Sequence, residues 1–204
     1  GRVDPAAVRK ALRRDTILLS VMYANNEIGT LQPVAELGAL ARDRGILFHT
    51  DAVQAAGHVP IDVEAAHIDL LTLTAHKFHG PKGCGAVYVR HGIEIEPLIY
   101  GGPQERGWRA GTENVPGICG LGMAADHAVR HMEEAGPRIA ALRDHLIDRI
   151  LAEIPGTTLN GSREFRLPNN ANFCIDGVSG EELLLLLDFA DIAASSGSAC
   201  ASGS

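Results

Sequence analysis

Lys77 stands in Thr74-Ala75-His76-Lys77, at the end of a short apolar run from Ile68 to Thr74. His49-Thr50-Asp51, with Gln54 just beyond, follows the apolar run that starts at Ile46, and Asn25-Asn26 follows the run from Thr16 to Tyr23. A lysine amine can condense with an aldehyde, and burial or a nearby cation lowers its pKa towards the range where it also moves protons. A carboxylate such as Asp51 can keep a ring nitrogen protonated and so make the ring an electron sink, while Thr74 and His76 can hold a phosphate. The set suits an aldehyde cofactor with a ring nitrogen and a phosphate. Each residue also has an ordinary use: Asp51 as the cap of the helix-like Ala52 to Ala56 stretch, Lys77 as a solvated lysine, and His49, His76 and His79 as partly buried histidines. Their joint placement after strands is what favours chemistry.

Cys200 lies in Ser195-Ser196-Gly197-Ser198-Ala199-Cys200-Ala201-Ser202-Gly203-Ser204, a tract without apolar period that reads as a loop. An exposed thiol with a pKa of about 8.5 carries some thiolate at neutral pH, so Cys200 is a candidate nucleophile; an incidental surface cysteine is the alternative. Cys84, Cys119 and Cys174 have apolar neighbours and are expected in or near the core. His49-x-Asp51 and His76-x-x-His79 hold metal-ligand types, but no further Glu or His stands at ligand spacing and Lys77 would repel a cation, so no structural metal is expected. Gly80-Pro81-Lys82-Gly83 and Gly101 to Gly111 match neither a phosphate loop nor a dinucleotide motif and are expected to make turns.

The elements that must position these groups alternate. Asp4 and Pro5 signal a helix start, with Val8, Ala11 and Leu12 at helical spacing before the Thr16 to Tyr23 strand. Val34, Leu37, Leu40 and Ala41 mark a second helix closed by Gly45, and strands are expected over Ile46 to His49, Ile68 to Thr74 and Ala86 to Arg90. A small-residue helix is expected around Gly117 to Met132. A separate amphipathic one is expected from Pro137 to Ile154, with Ile139, Leu142, Leu146, Ile147 and Ile150 on one face. Asn172 to Ile175 reads as a strand, and Ser179 with Glu182 as a capping box before a Leu183 to Leu187 helix. Such alternation predicts an α/β fold with a mostly parallel sheet and helices on both faces, where functional groups collect at the carboxyl ends of the strands.

Bulk composition agrees with a globular chain: 204 residues, 46% hydrophobic and 21% charged. A formal net charge of -7 gives no electrostatic footprint for nucleic acid or an anionic membrane. The longest leucine run, Leu183 to Leu187, is far short of the roughly 20 apolar residues that span a bilayer. Cysteine usage shows no disulfide-dense or CxxC spacing and the N-terminus no secretory signal, so a cytoplasmic place is expected.

Four segments, Asn25-Asn26-Glu27-Ile28-Gly29, Thr50-Asp51-Ala52-Val53-Gln54, Ala75-His76-Lys77-Phe78-His79-Gly80-Pro81-Lys82-Gly83 and Ser195-Ser196-Gly197-Ser198-Ala199-Cys200, together resemble the cysteine desulfurases of the class V aminotransferase family. The resemblance implies the large domain of a fold type I pyridoxal-phosphate enzyme over residues 1–132, and part of a smaller α+β domain over 133–204 that ends in the Cys loop. It implies pyridoxal 5'-phosphate on Lys77, with Asp51 on the pyridine nitrogen, Gln54 on the ring hydroxyl, Asn26 as a second ring contact, and Thr74 and His76 on the phosphate. Thr112 matches the position that reaches the cofactor phosphate of the other subunit, which implies a homodimer. Lys77, His76 and Cys200 are the implied catalytic residues. The implied reaction converts L-cysteine to L-alanine and leaves the sulfur on Cys200 as a persulfide, for an iron–sulfur scaffold or another sulfur acceptor, with Cys200 able to contact a nascent cluster.

The family also has a longer N-terminal portion, with a phosphate-binding turn and a ring-stacking histidine, and continues beyond Cys200 into a portion with an arginine for the substrate carboxylate; only four residues follow Cys200 here. The chain is therefore expected to be incomplete at both ends, to bind the cofactor poorly by itself and to have little activity. Another class V aminotransferase or lyase, such as a selenocysteine lyase, and a non-catalytic remnant remain as alternatives.

Overall fold

The structure is a computed structural model that describes residues 1–197. Helix α1 (Pro5–Ala11) starts where Asp4 accepts a hydrogen bond from the Ala6 amide, with Pro5 at its first position. Strand β1 (Leu18–Met22) follows, then helix α2 (Val34–Asp43), whose Val34, Leu37, Leu40 and Ala41 form the buried stripe that their spacing predicts. Gly45, at φ +66°, turns the chain out of α2 into β2 (Leu47–Asp51). Strand β3 (Leu70–Thr74) leads into a short 3₁₀ turn, Ala75–Lys77, and strand β4 (Gly85–Val89) returns.

These four strands form one sheet in the order β1-β2-β3-β4, with β1, β2 and β3 parallel and β4 antiparallel to β3. The α/β class with a mostly parallel sheet is as expected. Phe48, Thr50 and Leu71 on one face join Leu37, Ala41 and Ile68 in the core. On the other face Leu18, Met22 and Val87 are exposed among the described residues. Asp69 ties three strands together: its carboxylate accepts from the Phe48 amide at 2.8 Å and pairs with Arg90 at 2.5 Å.

Helix α3 (Val115–Glu153) corrects the expectation of two helices, because it runs without interruption through Pro137. Proline forfeits one intrahelical hydrogen bond, but its fixed φ is helical, so the helix continues through it, with its first half against the Ala75–Lys77 turn and its second half against the strand that follows it. Its first half lies on the site loops. Its second half buries a strip centred on Ile147, with Arg143 alongside, rather than the expected wider face, since Leu142 and Leu146 are exposed. A two-stranded antiparallel sheet, β5 (Thr157–Leu159) and β6 (Phe173–Ile175), follows; β5 has three residues, too few to show a period in sequence.

Helix α4 (Gly180–Phe189) begins after Ser179, but the Ser179 side chain makes no capping bond, so the capping box is not formed; Glu181 and Glu182 instead place negative charge in the first turn, where the helix dipole favours it. Cys84 is buried, but Cys119 and Cys174 are exposed, contrary to expectation. Cys174 sits on the outward side of β6, where strand alternation outweighs its apolar neighbours, and it receives a hydrogen bond from Asn160.

Candidate functional site

Parallel pairing brings the carboxyl ends of β1, β2 and β3 to one edge, with Met22, Asp51 and Thr72 in register. The pairing carries on one residue past each strand, as the Tyr23 amide donates to the Asp51 carbonyl (2.7 Å) and the Ala52 amide to that of Thr72 (2.9 Å). The three polar segments singled out in sequence therefore leave adjacent strands, about 4.8 Å apart, at the same edge.

After β1, Asn25 builds a turn: its side-chain oxygen accepts from the Glu27 and Ile28 amides, both at 2.9 Å, and Gly29 closes it at φ +67°. Asn26 is exposed on that turn. At the end of β2, Asp51 is exposed and one carboxylate oxygen accepts from the Val53 amide at 2.9 Å, so it does cap the Ala52 turn while its second oxygen has no hydrogen bond among the described residues. Gln54 is half-buried on the same turn.

After β3, the Thr74 hydroxyl donates to the Cys84 carbonyl at 3.2 Å. Its one proton is thereby used, so the 3.1 Å contact with His76 Nδ1 requires the imidazole to donate. Lys77 is half-buried at the end of the 3₁₀ turn, and His79 beyond it adopts φ +69°, sparsely populated for a residue with a side chain. His49 is held by Ser20 at 2.7 Å and by Thr72 at 3.4 Å, and among the described residues no three His, Cys, Asp or Glu side chains gather as a metal site would need.

The Lys77 turn is enclosed by close contacts. A Cβ on Gly80 would meet the Ala75 and Ala124 side chains at 2.7 and 3.2 Å, one on Gly57 would meet Phe78 at 2.6 Å, and one on Gly120 would meet Pro81 at 2.9 Å. Helix α3 thus lies directly on the loops that carry the site. Thr112 is exposed before α3 and has no hydrogen bond to the other candidates among the described residues. Arg109 donates to the Ala110 carbonyl. Cys200 lies outside the described residues.

Two groups that no sequence motif flagged also belong here. His58 Nε2 lies 3.1 Å from the Lys77 carbonyl; burial lowers the pKa of its imidazole, the hydrogen bond to Lys77 opposes this, and nearby His79 adds to the lowering. Arg166 is buried, donating to the Ser162 carbonyl and to Asn170 Oδ1, both at 2.8 Å, and to the Asn160 carbonyl. Asn170 in turn donates to the Glu27 carbonyl at 2.8 Å, and the Leu167 amide to that of Gly29 at 2.9 Å, so segment 160–172 clamps the turn that carries Asn26. Burial lowers the Arg166 pKa, as do Arg143 and Arg163, against Asp144.

The whole chain, residues 1–204, matches the aminotransferase class-V family. It belongs to that family. Over all 204 residues it is 56% identical to a cysteine desulfurase IscS of Methanosarcina thermophila, covering 50% of that protein, and 52% identical to the cysteine desulfurase NifS of Azotobacter vinelandii, covering 51%. Among solved structures, a NifS-like protein superposes with a TM-score of 0.89 at 39% identity, over 95% of this chain and 53% of that one. The chain spans about half the length of the curated relatives it matches. No helix among the described residues is long and apolar enough to cross a membrane.

Proposed function

We propose that this chain is the part of a cysteine desulfurase that carries pyridoxal 5'-phosphate on Lys77 and the sulfur acceptor Cys200. The observation that carries the reading is the placement of Asp51 at the carboxyl end of β2 and of Lys77 three residues past that of β3, its parallel neighbour, an amine and a carboxylate at one sheet edge. The donor set fits the cofactor's chemistry: Asp51 with a free oxygen for a ring N–H, Gln54 and Asn26 as amides for ring substituents, and Thr74 and His76 as hydrogen-bonding groups for a phosphate.

Bound there, the cofactor supplies a sink for charge that develops on the α-carbon of an amino acid. Lys77 Nζ holds the cofactor and moves protons to and from the substrate. The Cys200 thiolate attacks the substrate sulfur: the S–S bond forms as the C–S bond breaks, the carbon takes up a proton, and L-alanine leaves with the persulfide on Cys200. Thr112 reaches the phosphate of a second copy in a homodimer. The division at residue 132 belongs to the same reading: the four-stranded sheet falls before it and the two-stranded one after it, with α3 running through both parts. Iron–sulfur scaffold proteins or other sulfur acceptors, met in the cytoplasm, take the sulfur on.

The chain has three lysines, Lys10, Lys77 and Lys82, which makes the test direct. Incubation with pyridoxal 5'-phosphate in excess, enough to saturate the weak binding expected of this chain, followed by borohydride reduction and peptide mapping, should place the label on Lys77 in preference to the other two. A visible absorption band before reduction should vanish in Lys77→Ala. Equal labelling of all three lysines would overturn the reading.

A further inference from the structure

Asp51 ends β2 and the turn after it carries Gln54, while the turn after β3 carries Lys77. Strand pairing ends behind both, so beyond the sheet edge something else must hold the amine in register with the acid. The first turn is braced by its own backbone, with the Ala55 carbonyl accepting from the His58 and Val59 amides at 3.0 and 3.1 Å. In the second, the Ala75 carbonyl accepts from the Phe78 and Gly80 amides at 3.1 and 2.8 Å, and no backbone amide among the described residues donates to the Lys77 carbonyl. His58 Nε2 reaches that carbonyl at 3.1 Å. Gly57, at φ +79° and against Phe78, lets the two turns approach this closely.

We infer that His58 is a positioning residue for Lys77: by donating Nε2–H to the Lys77 carbonyl it links the amine-bearing turn to the turn that Asp51 caps. The inference rests on the reading of Lys77 as the cofactor lysine. A carbonyl only accepts, so His58 must carry its proton on Nε2, which fixes the tautomer of the neutral ring.

His58→Phe keeps a ring and removes the donor, whereas His58→Gln returns an N–H near the same place. In cofactor-free protein, imidazole ¹⁵N shifts should report the Nε2–H tautomer. Amide exchange at Phe78 and Gly80 should accelerate about fivefold in His58→Phe, the size of one net intramolecular hydrogen bond. Borohydride trapping should then show the Lys77-to-Lys82 labelling ratio falling by a similar factor in His58→Phe and recovering to within about twofold in His58→Gln. An Nδ1–H tautomer, or a His58→Phe protein with unchanged exchange and an unchanged ratio, overturns the role of His58 while leaving Lys77 as the cofactor lysine. Absence of Lys77 preference in the unsubstituted chain removes the cofactor reading, and this inference with it.

Discussion

Replacing Arg166 by leucine tests whether segment 160–172 holds the Asn25–Gly29 turn. Arg166 is 4% exposed, and its guanidinium serves two backbone carbonyls and Asn170 Oδ1, which are orphaned in the variant. Three hydrogen bonds from a charged donor at about 1.5–3 kcal/mol each amount to about 4.5–9 kcal/mol. Those values are net of desolvation, and against them leucine buries an apolar side chain worth about 1.5–3 kcal/mol. The net loss should be about 3 kcal/mol, a large part of the roughly 5–15 kcal/mol that keeps a domain folded. With a urea m-value of about 2–3 kcal/mol/M, the midpoint should fall by about 1–1.5 M. Because Asn170 also loses the partner that orients it, amide exchange at Glu27 and Ile28 should accelerate beyond the global loss of stability. A midpoint shift below about 0.3 M, or unchanged exchange at those two amides, would refute the clamp.

Two further outcomes follow from the same geometry. In Gly38→Ala the added methyl would sit 1.9 Å from the Ala66 carbonyl oxygen, so α2 must shift from the loop before β3; a destabilisation of about 3 kcal/mol is expected in urea melts, near the upper end of overpacking costs. His58, with its folded pKa lowered chiefly by burial, binds a proton more readily in the unfolded chain. Its contribution to stability is therefore complete above the unfolded value of about 6.5 and lost as pH falls through the folded value below it. Thermal melts from pH 8 down to 5 should show this fall, and His58→Gln should flatten it.

Local sequence was sufficient for α1, α2 and the four strands of the main sheet, because the Asp4-Pro5 start, the Val34-Leu37-Leu40-Ala41 stripe and the short apolar runs each record a choice made over a few residues. The placement of the candidates Asn26, Asp51, Thr74, His76 and Lys77 towards one edge was legible too, since parallel pairing brings the carboxyl ends of strands together whatever else surrounds them. Four segment matches were specific enough to point to the family. Sequence did not decide the continuity of α3 through Pro137, because proline's fixed φ is itself helical and the residue type alone does not say whether the chain breaks or continues there. Nor did it reveal the exposure of Cys119 and Cys174, which depends on the way a helix and a strand face. The His58 contact with Lys77 and the Arg166–Asn170 clamp join residues 19 and up to 143 positions apart. No local pattern encodes them. They exist because folding places a donor and a carbonyl within hydrogen-bonding distance, and only the tertiary structure decides that distance.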